Sequence, residues 1–66
     1  MENLNEALVE ARKGLQLTIS NAAREIGISY GMLAMMESSK RKGSDSTKIK
    51  VSKFYGRSVQ ELFYND

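Results

Sequence analysis

The sequence predicts an all-α fold of five short helices. The chain of 66 residues contains no proline, and no segment has the strict apolar–polar alternation of a half-buried strand. Apolar residues recur instead every three or four positions, and Ser, Thr or Gly stands where most of these runs start or stop. The chain is close to the lower size limit for independent folding, so residues 1–66 are expected to form a single domain.

The first helix is predicted from Leu4 to Lys13. Leu4, Leu8 and Ala11 fall at helical spacing and form one apolar stripe that is expected to face the core. Gly14 follows directly and is available to end the helix.

The second and third helices are predicted at Ile19–Ile26 and Tyr30–Ser38. Thr18 and Ser29 precede them, and each hydroxyl can accept a hydrogen bond from an amide of the first turn. Gly27 separates the two helices at a position where a left-handed backbone is needed, and glycine adopts that conformation with little strain. The pattern predicts a helix-turn-helix corner.

The packing of this corner follows from side-chain size and spacing. Ala23 stands where one helix must cross close over the next, so a larger side chain there is expected to push the axes apart. Helices that meet at roughly 90–120° leave the second one protruding. The apolar residues expected to turn inward toward a shared core are Ala22, Ile26, Ile28, Leu33 and Met36.

A loop and a fourth helix are predicted next. Ser39–Gly43 has loop composition, and the helix is expected to begin at Ser44 or Asp45 and to end at Tyr55. Gly56 stands in the position that favours a C-terminal cap.

The fifth helix is predicted to be short. Ser58 and Glu61 have the spacing of a capping box, in which each residue bonds the backbone amide of the other. Leu62 and Phe63 follow and are expected to pack back on the core.

Charge is unevenly distributed along the chain. Residues 40–57 carry seven basic side chains and one acidic one, a net charge of +6, whereas the whole chain carries only +2. A positive segment next to an uncharged helix suits a polyanion such as a phosphate backbone. The alternative is a solvated helix face that only maintains solubility.

The composition also excludes several classes of protein. There is no Cys and no His, and no set of nucleophile, base and orienting group stands out, so an enzyme, a metal site and a cofactor are not expected. No apolar run approaches the ~18 residues of a membrane span, and the first residues do not have the pattern of a signal peptide. We therefore expect a cytoplasmic protein without a membrane partner.

Several of these positions together resemble the Cro/C1-type (XRE) helix-turn-helix repressors of prokaryotes. The similarity runs from about Leu8 to Phe63. The residues that carry it are Leu17, Thr18, Ala23, Gly27, Ile28, Ser29, Leu33 and Glu37, with Arg12 upstream and Tyr55, Gly56, Ser58, Glu61, Leu62 and Phe63 downstream. The resemblance implies a compact five-helix bundle of the lambda-repressor-like DNA-binding type.

The resemblance also implies which residues meet DNA bases, because the third helix lies in the major groove in relatives. The matching positions are Ser29, Tyr30, Gly31, Ala34 and Met35. Relatives commonly carry Gln, Arg, Ser or Lys there, which hydrogen-bond to purines. Direct readout here is expected to rest on the Tyr30 hydroxyl, Ser29, apolar contact of Ala34 or Met35 with thymine methyls, and DNA shape.

Two segments match the phosphate contacts of relatives. One is the start of helix two, Ile19, Ser20 and Asn21, whose free amides attract anions although Ile19 replaces the usual Gln. The other is the cationic loop of Lys40, Arg41 and Lys42. In the alternative interpretation, Ser20 and Asn21 are ordinary polar residues of a first turn and the cations are solvated loop charges.

Other matching positions have structural roles in relatives. Arg12 and Glu37 correspond to an inward-facing ion pair, and Gln16 replaces a usual glycine. Lys48 replaces a core leucine, so it is expected to extend toward solvent while Ile49, Val51 and Tyr55 supply the core.

The three methionines of helix three are expected to differ in their exposure to solvent. Met32 and Met36 are expected in the core, and Met35 is expected to be exposed on the side of Tyr30.

The function expected from the resemblance is a double-stranded DNA-binding transcriptional regulator, a repressor of the phage or mobile-element kind. Such a short protein binds half a site, so a homodimer is expected, with a dimer surface that includes Val59, Phe63 and Tyr64. The alternative is a protein-interaction module of the same fold, antirepressor or antitoxin-like. It would bind a protein partner through Tyr30, Met35 and Ile19.

Overall fold

Five helices and no strand are present in the computed structural model, which describes residues 4–64. The all-α prediction with five helices is therefore confirmed. The elements in chain order are α1 (Glu6–Gly14), α2 (Ile19–Ile26), α3 (Tyr30–Glu37), α4 (Asp45–Tyr55) and α5 (Val59–Phe63).

Each helix begins at a side chain that accepts a hydrogen bond from the first turn. Thr18 Oγ1 accepts from the Asn21 amide at 3.1 Å, and Ser29 Oγ accepts from the Met32 amide at 3.0 Å. Ser58 and Glu61 form the predicted capping box. These caps were predictable because each depends on residues close together in the sequence.

The start of α1 differs from the prediction. The helix begins at Glu6 because Asn5 is its cap, with Asn5 Oδ1 accepting from the Leu8 amide at 3.1 Å. Asn5 Nδ2 also donates to the carbonyl of Leu62 at 2.8 Å, which ties the start of α1 to α5. Leu4 precedes the cap and is 58% exposed, so it does not share the buried stripe of Leu8.

Four helices end at a residue with a left-handed backbone. Gly27 (φ 95°) and Gly56 (φ 69°) take this position after α2 and α4, as predicted. After α1 the left-handed residue is Gln16 (φ 60°) rather than Gly14, and after α3 it is Ser39 (φ 65°). In each case the following amide bonds back to a carbonyl of the last turn, as in a Schellman motif.

The interior contains two contiguous apolar clusters. The first joins α1, α3, α4 and α5, and its buried members are Leu8, Ala11, Met36, Val51, Leu62 and Phe63. The second lies at the corner of α2 and α3 and comprises Ala22, Ala23 and Leu33. Ile26 and Ile28 are partly buried and pack against both clusters. The predicted inward face of the corner is therefore confirmed.

The predicted packing of α4 is wrong at Ile49, which is 47% exposed, and at Lys48, whose side chain was expected to extend toward solvent but is only 12% exposed because it contacts Tyr64. Lys48, Val51, Ser52 and Tyr55 fall at helical spacing on the face that meets the core, and Ile49 lies outside that face. Because Val51 and Ser52 are buried on this face, the rotation of α4 about its axis is fixed. Ile49 is therefore directed away from the core although it is hydrophobic.

The solvent exposure of the three methionines of α3 agrees with the prediction. Met36 is 1% exposed, and Met32 is partly buried against the first cluster, whereas Met35 is 42% exposed.

Phe63 is only 7% exposed in this single chain, so the prediction that it contributes to a dimer surface is wrong.

Candidate nucleic-acid interface

One face of α3 is open to solvent. Tyr30 and Met35 are 58% and 42% exposed, Gly31 is exposed, and Ala34 is partly buried. We call these four residues the α3 face. They share one side of the helix because residues three and four apart lie on the same side. The opposite side carries Leu33, Met36 and Glu37, which are buried.

The start of the α3 face is polar and its second position is open. Ser29 is exposed, and because its oxygen accepts the capping bond, its hydroxyl hydrogen remains available as a donor. A Cβ atom added at Gly31 would meet nothing within 4 Å. The helix backbone at Gly31 is therefore accessible to a ligand that approaches from solvent.

The first turn of α2 offers two free amides. Those of Ile19 and Ser20 have no protein acceptor within residues 4–64, because Thr18 satisfies the amide of Asn21 instead. The Ile19 side chain packs against the second apolar cluster, and Asn21 Oδ1 accepts a hydrogen bond from Arg24. What this turn presents to solvent is therefore mainly its backbone N–H groups and Ser20.

The cationic loop follows the α3 face directly. The amides of Lys40 and Arg41 donate to the carbonyl of Met35 at 2.9 and 3.3 Å, so the loop backbone is fixed to the end of α3. Lys40, Arg41 and Lys42 are exposed, and no carboxylate lies within 4 Å of their charged atoms in the described part of the chain. Three positive charges with no carboxylate within 4 Å among residues 4–64 thus lie at one end of an apolar face.

A family model described as a helix-turn-helix matches residues 8–62. The chain belongs to the helix-turn-helix family of the Cro/C1 type. No curated protein and no solved structure shows significant similarity to it.

Members of this family are DNA-binding regulators, so this helix-turn-helix protein has the α3 face, the α2 amides and the cationic loop as its candidate DNA interface.

Within residues 4–64, no helix has the length and apolar character needed to cross a lipid bilayer. No three acidic, histidine or cysteine side chains gather in that range as a metal site would require.

The predicted ion pair that ties α1 to α3 is present. Arg12 Nε and Nη2 donate to the two carboxylate oxygens of Glu37 at 2.7 and 3.1 Å, and the side chains are only 12% and 6% exposed. Arg12 Nη1 also donates to the carbonyl of Leu17 at 2.9 Å. The hydrogen bond to Glu37 raises the pKa of Arg12 above its ordinary value, although burial opposes this. The pair holds the end of α3, and with it the start of the cationic loop, against α1.

The sequence did not predict that the aromatic ring of Tyr64 contacts the cationic loop. Lys42 Nζ lies 4.7 Å from the ring centroid of Tyr64, and Lys48 Nζ lies 5.1 Å from the same centroid and donates to the Tyr64 hydroxyl at 2.7 Å. Both lysines are held by cation–π attraction. No local pattern could have indicated this contact, because it joins the loop and α4 to a residue that follows α5.

Tyr55 is a buried titratable group near the ion pair. Its hydroxyl has no hydrogen-bond partner within residues 4–64. Burial and, to a lesser extent, the negative charge of Glu37 raise the pKa of Tyr55 to about 12, while the positive charge of Arg12 acts in the opposite direction. The hydroxyl forms no hydrogen bond with the α3 face or the cationic loop, so it is not assigned to the candidate interface.

Proposed function

We propose that this helix-turn-helix protein is a prokaryotic transcriptional repressor, of the phage or mobile-element kind, that binds a preferred sequence in double-stranded DNA. The observation that carries the proposal is the continuity of the α3 face with the cationic loop. Both amides that begin the loop bond to Met35, the last residue of that face. A groove-sized helix therefore ends directly beside three exposed cations.

The proposed docking places α3 in the major groove. That groove is about 12 Å wide and accepts one α-helix. Ser29 and the α3 face would meet the base edges. The phosphate contacts would come from the free amides of Ile19 and Ser20 and the side chains of Ser20 and Asn21 on one side, and from Lys40, Arg41 and Lys42 on the other.

The proposed active form on DNA is a homodimer. One copy of this small domain covers one half-site, and a two-fold dimer would read two half-sites about 34 Å apart. Val59, the first residue of α5, is partly buried, and Tyr64, which follows the helix, is 44% exposed, so this part of the chain retains apolar surface for a second copy.

The test is enrichment of bound sequences from random duplex DNA, followed by affinity measurements on the enriched duplex at several salt concentrations. Arg41→Ala should weaken binding to all duplexes and flatten the log–log salt dependence by roughly one unit per subunit. Arg57→Ala is the matched control, since it removes the same charge at an exposed site beside Glu6, Glu10 and Glu61. It should leave most of the slope intact.

Tyr30→Ala should instead change which sequences are enriched. It removes the polar tip of the α3 face and leaves the phosphate contacts in place, so the salt slope should be retained. Equal effects of Arg41→Ala and Arg57→Ala, with no change in preference for Tyr30→Ala, would contradict the proposed docking.

One observation favours a second function, a protein-interaction module of the same fold. Tyr30 and Met35 are large, exposed and adjacent on one helix, as in many protein interfaces. Against it, Ile19 packs partly on the core, and the neighbouring surface carries three exposed cations. Failure to bind any duplex near physiological salt, together with tight binding of a purified protein partner that Met35→Ala abolishes, would favour this second function.

A further inference from the structure

We infer that the α3 face recognises the C5-methyl group of pyrimidines in the major groove, that of thymine and equally that of 5-methylcytosine at the same base step. The inference rests on the proposed function and specifies the chemistry that this DNA-binding surface reads. It follows from the side chains that the α3 face presents and from those that it lacks.

The α3 face has almost no hydrogen-bonding capacity. Gly31 has no side chain, Ala34 ends in a methyl group and Met35 in a thioether, so the Tyr30 hydroxyl is the one polar side-chain group among the four. The Ser38 hydroxyl, one turn beyond Ala34, already donates to the Met35 carbonyl at 3.1 Å. The face carries no Arg, Lys, Asn or Gln, which are the side chains that make bidentate contacts with purines.

The apolar atoms of the α3 face therefore need an apolar partner in the groove. The C5-methyl group is the apolar group that the major-groove edges of base pairs offer, and in unmodified DNA only thymine carries it. In 5-methylcytosine the methyl group occupies the same place on the ring. Burying one such group against Ala34 or Met35 should strengthen binding about fourfold.

The geometry of the face permits this approach. The absence of a side chain at Gly31 and the small one at Ala34 let the helix come close to the base edges. Met35 is 42% exposed and unbranched, so its thioether can adjust to a methyl group at either of two neighbouring base pairs.

Charge favours DNA over an apolar protein groove as the occupant. The Lys40–Lys42 loop is anchored to the carbonyl of Met35, and its cations have no carboxylate within 4 Å in the described part of the chain. A polyanion neutralises these charges, whereas an apolar protein surface leaves them desolvated and uncompensated.

The experiment removes methyl groups one at a time from the duplex. In the enriched duplex, each thymidine is replaced in turn by deoxyuridine, which keeps the base pair and loses only the C5-methyl group. Affinity should fall about fourfold at one or more positions of each half-site. The salt slope should not change, because no phosphate contact is altered.

A second arm separates the methyl group from the identity of the base pair. At a sensitive position the T·A pair is replaced by C·G and, separately, by 5-methylC·G. The methylated duplex should bind about fourfold more tightly than the unmethylated one. Equal binding of these two duplexes would count against recognition of the methyl group.

Protein variants assign the contact to the face. Met35→Ala should abolish the loss caused by uracil at the position that Met35 covers, which a double-mutant cycle measures directly. Ile49→Ala is the matched control, because Ile49 is exposed to a similar extent but lies on α4. It should retain the full uracil effect. Both substitutions are at exposed positions, and circular dichroism verifies that the helices are retained.

The possible failures are distinguishable. If the protein binds a preferred duplex tightly and no uracil substitution changes the affinity, the methyl inference is wrong and the proposed function stands. If it binds no duplex near physiological salt, the proposed function itself is wrong, and the inference is overturned with it.

Discussion

At the scale of single residues, two helices end in a conformation that their sequence does not favour. Gln16 and Ser39 have φ values of 60° and 65°, in the left-handed region where a Cβ atom is strained. The conformation is imposed by the hydrogen bonds that close each helix. At Gln16 these are its own amide to Lys13 O at 2.9 Å and the Leu17 amide to Arg12 O at 3.3 Å.

Gln16→Gly should therefore stabilise the protein. Glycine removes the strain of the left-handed residue, and the greater entropy of glycine in the unfolded chain offsets only part of this gain. We expect an increase of about 0.5–1 kcal/mol in the free energy of unfolding, measured by urea denaturation. Gln16→Ala, which keeps the Cβ atom, should give no such gain. A destabilised Gln16→Gly variant would show that the Gln16 side chain makes a contribution that the structure does not reveal.

The same residues show where prediction from sequence was limited. Gly27 and Gly56 were predicted to be left-handed because glycine is the residue type that favours this conformation. Gln16 was noted only as a replacement for a usual glycine, and nothing in the type of Ser39 indicates its backbone angle. Ile49 was misplaced because hydrophobicity alone does not specify which side of α4 meets the core.

At the scale of helices, the Arg12–Glu37 pair is the principal polar tie between α1 and α3. Two hydrogen bonds join the side chains, and a third joins Arg12 to the turn before α2. Because both side chains are nearly excluded from water, loss of either partner leaves the other charge, or its hydrogen-bonding groups, poorly compensated.

Glu37→Gln should lower the free energy of unfolding by about 3–5 kcal/mol, since the Arg12 cation then has no counter-ion in a nearly buried site. Thermal or urea denaturation measures the loss. Asp45→Asn is the matched control: Asp45 is 99% exposed, lies 3.9 Å from Lys48, and should contribute less than about 1 kcal/mol. A loss for Glu37→Gln no larger than that of Asp45→Asn would contradict the structural role of the pair.

Polar side-chain contacts between helices were predictable only where the family resemblance supplied them. The Arg12–Glu37 pair was expected from matching positions, and it is present. The contacts of Lys42 and Lys48 with Tyr64 were not expected, since they depend on how α4 and α5 pack. Local caps and the corner at Gly27 need only neighbouring residues, which explains why they were predicted well.

At the scale of the whole molecule, Tyr55 links stability to alkaline pH. The pKa of its hydroxyl is raised to about 12 in the folded protein, against about 10 in an unfolded chain. Between these values the unfolded chain loses a proton that the folded chain keeps. Ionisation of this group therefore does not change the free energy of unfolding below pH 10, and it lowers that free energy as the pH rises toward 12.

Tyr55→Phe should remove this component of the pH dependence. At neutral pH the variant should be about 1 kcal/mol more stable, because it eliminates a buried hydroxyl that has no partner within residues 4–64. Urea denaturation at pH 7 and between pH 9.5 and 11 measures both effects. Tyr30→Phe removes an exposed hydroxyl and serves as control. An unchanged alkaline decline in Tyr55→Phe would assign that decline to other groups.

The openness of α3 at Gly31 has a consequence for how such a protein diverges. A Cβ atom introduced there meets no other part of the molecule within 4 Å, so packing does not oppose a larger residue at this position. In the proposed docking, a single codon change at this position would therefore alter the preferred DNA sequence without a steric penalty in the folded protein. Variants with new DNA preferences would then arise in one step.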